Sequence, residues 1–70
     1  MSQSMQVTVN GEPRAVPPGT TVGALLAILG VTGDRVAVEV NTAVVTRALH
    51  MSTELKPDDH IEVVTFVGGG

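Results

Sequence analysis

The sequence predicts one α+β domain with the β-grasp arrangement, in which a single helix packs across a mixed sheet of four to five strands. Three observations support this prediction. Short segments with strand period lie on both sides of one segment with helix period, turn-forming residues separate the segments, and the chain has only 70 residues. A chain of this length holds one hydrophobic core and has no room for a second domain.

The first two strands are predicted to form a hairpin. Apolar and polar residues alternate from Met5 to Val9, which is the period of a strand with one buried face. Asn10-Gly11 follows and is a strong hairpin signal. The return strand is expected from Pro13 to Val16, and residues 17–19, Pro-Pro-Gly, end it because proline cannot donate to the sheet ladder.

The next segment is predicted to be the helix. Its apolar residues stand at i, i+3, i+4 and i+7, a spacing that places four side chains on one face. Thr21 is a suitable N-cap, because its hydroxyl can accept a hydrogen bond from an unpaired amide of the first turn. Gly30 stands where the helix needs a left-handed residue at its end. The four apolar residues are Val22, Leu25, Leu26 and Leu29.

Two strands and an irregular segment follow the helix. Residues alternate with period two from Val36 to Val40, residues 41–43 can turn, and Val44-Val45 is long enough for a short edge strand. The segment from Thr46 to Lys56 has no clear period. It is expected to contribute one turn of helix, and Leu55 is expected to fill the core.

The last strand is predicted from Ile61 to Val67, after a turn at residues 57–59. In a β-grasp the first and last strands often lie side by side, so the carboxyl terminus would leave the middle of the sheet. If the helix covers the face of Ile61, alternate residues of this strand point away from the core. Val64 and Phe66 are therefore expected to point away from the core, and together with the adjacent Val67 they are predicted to form an apolar docking surface beside the tail.

Composition argues against several functional classes. Four basic and seven acidic residues give a net charge of −3, and the basic residues are scattered, so the electrostatic footprint of a nucleic-acid-binding protein is missing. The sequence has no apolar run of the ~20 residues that a membrane span needs, and its start does not resemble a signal peptide. The resulting expectation is a cytoplasmic monomer. A core this small is a poor basis for a self-sufficient enzyme.

Other candidate sites have weak support. His50 and His60 are far apart and the chain has no cysteine, so both are interpreted as ordinary surface histidines rather than metal ligands. Asp58, Asp59 and Glu62 form a small acidic cluster that is interpreted as a solvated turn. The chain is expected to bind no metal or cofactor of its own.

The tail Gly68-Gly69-Gly70 carries the functional prediction. Glycine loses more conformational entropy on ordering than any other residue, so stability does not explain three of them in succession. Extended, they reach about 10 Å, and without Cβ atoms they fit a narrow slot in another protein's active site. The chain is thus divided into a β-grasp domain at residues 1–67 and a flexible tail at residues 68–70.

The predicted reactive group is the carboxylate of Gly70. It is ionised at neutral pH and is therefore a poor electrophile that must be activated. Adenylation by a partner enzyme with ATP and Mg²⁺ would convert one oxygen into part of a leaving group. A sulfur donor could then displace AMP and leave a thiocarboxylate on Gly70.

Four segments carry a resemblance to a known family: residues 9–14 (VNGEPR), 21–30 (TVGALLAILG), 35–47 with RVAVEVN at its start, and 61–70 (IEVVTFVGGG). Together they resemble the sulfur carrier proteins of thiamine biosynthesis, the ThiS family. The resemblance implies a ubiquitin-like fold, adenylation of Gly70 by a dedicated activating enzyme, conversion to a thiocarboxylate, and sulfur delivery to thiazole synthase. It also implies that the partners grip the tail at Gly68 and Gly69.

Two positions depart from the family pattern. Asp58 stands where relatives often have glycine, and aspartate tolerates a left-handed backbone better than most residues, so the turn is expected to survive. Thr46 stands where relatives often have proline. Neither position lies in the tail.

Two alternative functions remain open. The small subunit of molybdopterin synthase and other thiocarboxylate carriers share the fold and the final glycines, although the short chain and Phe66-Val67-Gly68 favour the thiamine pathway. The alternative of another class is a β-grasp interaction module that carries no sulfur and whose glycines are incidental.

Overall fold

The computed structural model of the chain describes residues 3–32 and 35–66. In these two ranges it contains five strands, one α-helix and one 3₁₀ turn. The strands are β1 (Met5–Val9), β2 (Glu12–Val16), β3 (Val36–Val40), β4 (Ala43–Val45) and β5 (His60–Thr65), with helix α1 at Val22–Leu29 and the 3₁₀ turn at Arg47–Leu49.

The five strands form one mixed sheet in the order β2-β1-β5-β3-β4. β1 and β5 are parallel, and the other neighbouring strands are antiparallel. The last strand of the described residues, β5, is therefore the central strand of the sheet, as predicted. This topology confirms the β-grasp arrangement.

The bounds of three strands differ from the predicted ones. β2 and β4 each begin one residue earlier than predicted, at Glu12 and Ala43. The predicted Ile61–Val67 strand is observed as β5 at His60–Thr65. Its last pair is Thr65 with Val36, the first residue of β3, and beyond it a single hydrogen bond from Phe66 to Arg35 continues the pairing without extending the strand. Val67 lies outside the described residues.

Both predicted helix caps are confirmed. The side-chain oxygen of Thr21 accepts a hydrogen bond from the amide of Ala24 at 3.1 Å. Gly30 has φ 74°, in the left-handed region, and its amide donates to carbonyl oxygens of the last turn. The helix therefore begins and ends where the sequence indicates.

The core lies between α1 and one face of the sheet. Leu55 belongs to it, as predicted, because its amide donates to the Thr20 carbonyl and draws the 46–56 segment against the start of the helix. Among the described residues, nine apolar ones are buried: Val7, Val9, Val16, Val22, Leu25, Leu26, Val38, Leu55 and Ile61.

The turns adopt left-handed backbone conformations. Asn10 and Gly11 have φ 50° and 83°, and Asn41 and Thr42 repeat this pattern with φ 51° and 71°. Asp58 has φ 69°, so aspartate occupies the position where glycine was expected, and the turn is retained.

The interpretation of His50 as a surface residue is wrong. It is 8% exposed, and its Nε2 lies 3.1 Å from the carbonyl oxygen of Val45. Because a carbonyl only accepts, Nε2 carries the proton and donates. The carbonyl of His50 in turn accepts from the amide of Gly23 at 2.8 Å, so His50 ties the 3₁₀ segment to both β4 and α1. His60 is exposed, as expected.

Within residues 3–32 and 35–66, histidine, aspartate and glutamate side chains do not gather in a group of three or more that could hold a metal ion. In the same ranges, no helix is long and apolar enough to cross a membrane.

Candidate functional site

The candidate site is the end of β5 and the surface around it, because this strand leads to the predicted reactive tail. Six residues were predicted to act in or beside the tail, and four of them lie outside the described residues: Val67, Gly68, Gly69 and Gly70. The structure places the other two, Val64 and Phe66.

β3 supports β5 from Ile61 to its end. The two strands pair from Val40 with Ile61 to Val36 with Thr65. One further hydrogen bond, from the Phe66 amide to the Arg35 carbonyl at 2.9 Å, extends this support beyond the last strand pair. On this side the chain is held as far as residue 66.

β1 supports only the beginning of β5. The parallel register consists of two residue pairs, Thr8 with His60 and Val9 with Ile61. After Val9 the chain turns back at Asn10-Gly11 to form β2, while β5 continues for four more residues. The second half of β5 therefore has main-chain neighbours on the β3 side and an open edge on the other.

The side chain of Asn10 reaches across this open edge. Its Oδ1 accepts a hydrogen bond from the Val63 amide at 2.8 Å, and its Nδ2 donates to the Val63 carbonyl at 3.1 Å. The amide group thus forms the two bonds that the main chain of a neighbouring strand would form. Sequence analysis identified Asn10 only as a turn residue. One feature of the sequence pointed to this role. Glycine also satisfies this turn position, whereas asparagine adds a side-chain donor and acceptor that can bond elsewhere.

Val64 and Phe66 lie on the face of the sheet opposite α1. They are 54% and 53% exposed, which agrees with the predicted orientation. Ala37, paired with Val64 on β3, has a side chain too short to cover it. We call Val64 and Phe66 the β5 stripe. Its role as a docking surface remains a prediction.

The predicted acidic cluster does not form one unit. Asp59 is a structural residue, because its carboxylate oxygens accept hydrogen bonds from the Asn41 side chain at 2.9 Å and from the Lys56 amide at 2.8 Å. Glu62 lies on the same open face as the β5 stripe, directly across from Glu39 of β3. The open face thus combines two exposed apolar side chains with a pair of carboxylates.

On the helix side, a cleft of about 310 Å³ lies between the β1–β2 hairpin, the end of α1 and the second half of β5. It exists because β1 ends where β5 continues. Its lining is mixed, with Leu29 and Val63 among the apolar residues and Glu12 and Arg14 among the charged ones.

A solved structure resembles this fold closely. The crystal structure of the thiamine biosynthesis protein ThiS from Geobacter metallireducens superimposes with a TM-score of 0.80 and 38% sequence identity. The match covers 94% of this chain and 100% of that protein. The fold and the central position of the carboxyl-terminal strand define a small protein of the ubiquitin-like β-grasp class.

Sequence comparison gives the family. The ThiS family model matches residues 7–70, a range that includes the three glycines. This chain belongs to the ThiS family, the family that its sequence resembled.

Two longer relatives contain a segment similar to this chain. The thiazole synthase of Magnetococcus marinus is 48% identical over 66 residues, and that of Paramagnetospirillum magneticum is 39% identical over 66 residues. Each alignment covers 94% of this chain. The chain spans only 20% of the length of each of these two relatives.

Proposed function

We propose that this protein carries sulfur as a thiocarboxylate on Gly70 and donates it for thiazole formation. The family match over residues 7–70 is the observation that carries the proposal. The fold supports it, because β5 lies in the middle of the sheet and is the strand that precedes the glycines in the sequence. The protein is a co-substrate of its partners, and the reacting atoms belong to its own last carboxyl group.

The proposed chemistry needs two displacements. A carboxylate oxygen of Gly70 attacks the α-phosphorus of ATP, and pyrophosphate leaves, which gives an acyl adenylate. A sulfide-level sulfur then attacks the carbonyl carbon, AMP leaves with the bridging oxygen, and the thiocarboxylate remains. Glycine at this position leaves the carbonyl open to attack, since no side chain stands beside it.

The proposed partners follow from this chemistry. An adenylating enzyme of the E1-like type supplies the ATP site and Mg²⁺, a sulfur donor protein supplies the sulfur, and thiazole synthase consumes it. Support for the last partner comes from the two relatives named thiazole synthase, in which a segment similar to this chain is part of the same polypeptide.

Intact-mass spectrometry tests the proposal. The protein is incubated with the cognate activating enzyme, ATP, Mg²⁺ and sulfide, and its mass is expected to rise by the difference between sulfur and oxygen. The matched control lacks only Gly70 and is expected to show no change. Ile61 is the last residue in the sequence that belongs to the described buried core, so the truncated variant is also expected to melt at the same temperature as the wild type.

An unchanged mass with a demonstrably active enzyme contradicts the proposal. So does a natural polypeptide that continues past Gly70 and is never processed, because the chemistry needs a free carboxylate there. Complementation separates the pathways: the gene is expected to rescue a thiazole auxotroph and to fail in a mutant that lacks the small subunit of molybdopterin synthase.

A further inference from the structure

The side chain of Asn10 makes hydrogen bonds that its role in the turn does not require. A type I′ turn needs φ > 0 at both central residues, and glycine satisfies this without any side chain. Here the Asn10 side chain makes two hydrogen bonds to Val63, which is 53 residues away in the sequence. The turn explains the backbone of Asn10, and it does not explain these two bonds.

The direction of the main-chain groups explains why Val63 is the target. The carbonyls of Asp59 and Ile61 accept from the amides of Thr8 and Asn10, whereas the main-chain groups of His60 and Phe66 bond toward β3. Because these directions alternate along a strand, both groups of Val63 point toward the side that β1 has left. Without Asn10 they would face solvent.

Asn10 also acts at the last point where this side of β5 can be held. In the described part of the chain, the hydrogen bonds that reach β5 beyond Ile61 from the β1 side are the two that Asn10 makes. On the other side, β3 and Arg35 hold the strand to Phe66. Bonds on both edges of a strand resist its rotation and its swing in the plane of the sheet better than bonds on one edge.

We propose that Asn10 is a positioning residue for sulfur transfer, which fixes the direction in which β5 leaves the sheet and thereby aims the tail at the partners' active sites. This inference rests on the proposed carrier function. A misdirected tail places its carboxylate away from the reactive geometry, where displacements of about 1 Å can lower rates about a hundredfold.

Asn41 offers a matched control within the same chain. It has nearly the same φ, 51° against 50°, and also lies at the first central position of a turn. Its side chain also bonds to β5, with Oδ1 accepting from the His60 amide at 2.9 Å. That contact is at the first residue of β5, three residues before Val63. Asn10→Gly and Asn41→Gly therefore remove comparable groups from two different points along one strand.

The experiment compares the two variants with wild type at a temperature at which all three are folded. We expect Asn10→Gly to lower kcat/KM for thiocarboxylate formation about tenfold or more, and Asn41→Gly to leave it unchanged. Amide hydrogen exchange at Val63 is expected to accelerate only in Asn10→Gly. Asn10→Asp keeps the acceptor and loses the donor, so its rate is expected to fall between those of wild type and Asn10→Gly.

Equal rates for Asn10→Gly and wild type, or equal losses in the two glycine variants, would reduce Asn10 to a turn residue and overturn the inference. Unchanged exchange at Val63 in Asn10→Gly would overturn it as well, whatever the rates. A wild-type protein that is never converted to the thiocarboxylate contradicts the carrier function itself, and the positioning role is withdrawn with it.

Discussion

Two hairpin turns in this protein share one backbone geometry and differ in one residue. Asn10-Gly11 has glycine at its second position, whereas Asn41-Thr42 has threonine there at φ 71°. A left-handed conformation costs an L-residue roughly 1 to 2 kcal/mol, and a β-branched side chain is especially unsuited to it. Thr42 is therefore a strained position at the tip of the β3–β4 hairpin.

We predict that Thr42→Gly raises the free energy of unfolding by about 1 kcal/mol, because glycine adopts this φ without steric cost. Thr46→Gly is the control. Thr46 has φ −67° and makes no side-chain cap bond, so glycine relieves no strain there and should lower stability by about 0.5 to 1 kcal/mol. Urea unfolding of both variants measures the difference, and a loss of stability in Thr42→Gly would show that the threonine is not strained.

At the scale of the elements, helix α1 packs against one face of the sheet. Its N-cap and C-cap residues set its length. Eight residues are too few to form a stable helix in isolation, so packing of its apolar face must hold it. Leu25 is fully buried at the centre of that face, whereas Ile28, one turn later, is 50% exposed.

We predict that Leu25→Ala lowers the free energy of unfolding by about 2 to 5 kcal/mol, because it leaves a cavity beneath the helix. A domain of this size has only about 3 to 5 kcal/mol available, so the variant should be largely unfolded at room temperature. Ile28→Ala on the same helix should cost less than about 1 kcal/mol. Circular dichroism measures both variants, and similar losses at the two positions would contradict the proposed packing.

At the scale of the whole molecule, the sheet has one face covered by the helix and one open face. The β5 stripe lies on the open face at the point where the chain leaves the sheet. Single exposed apolar residues are common on proteins, and neighbouring ones beside the proposed reactive terminus favour contact with a partner. Val64 lies on the central strand and Phe66 directly follows that strand, so a protein bound to them would contact the last described part of the chain.

We predict that Phe66→Ala weakens binding to the activating enzyme about 10- to 100-fold, as expected for a central aromatic residue of an interface. Thermal stability should not change, because Phe66 is half-exposed and lies outside the core. Val44→Ala is the control, since Val44 is 69% exposed and lies on the edge strand β4. Calorimetric titration measures the affinity of each variant for the activating enzyme. An equal loss of affinity for Val44→Ala would show that the interface covers the whole open face and that β5 has no special role in it.

Prediction from sequence was most successful where the physical cause is local. The N-cap at Thr21 and the left-handed residue at Gly30 depend on neighbours within one helical turn, and both were confirmed. The left-handed Asp58 was also anticipated, because a short polar side chain tolerates that conformation. The strand ends were less accurate, since the end of β5 depends on where β3 begins, and that is a property of the partner strand.

The candidate site was predictable in part. The sequence indicated that Val64 and Phe66 face away from the helix, because a strand alternates its faces and Ile61 has to be inside. It did not indicate the role of Asn10 or the burial of His50. Each depends on a contact with a segment that no local pattern identifies, Val63 for Asn10 and Val45 and Gly23 for His50.

The sequence by itself determined the elements, their turns, the main buried face of the helix and the resemblance to the ThiS family, because periodicity, capping and turn chemistry act over a few neighbouring residues. Only the tertiary structure decided that β5 extends beyond the end of β1, that Asn10 bonds to the open edge of β5, and that the buried His50 connects the 3₁₀ turn to β4 and α1. These features arise when distant segments meet in a particular register, and a register is set by the packing of the whole sheet.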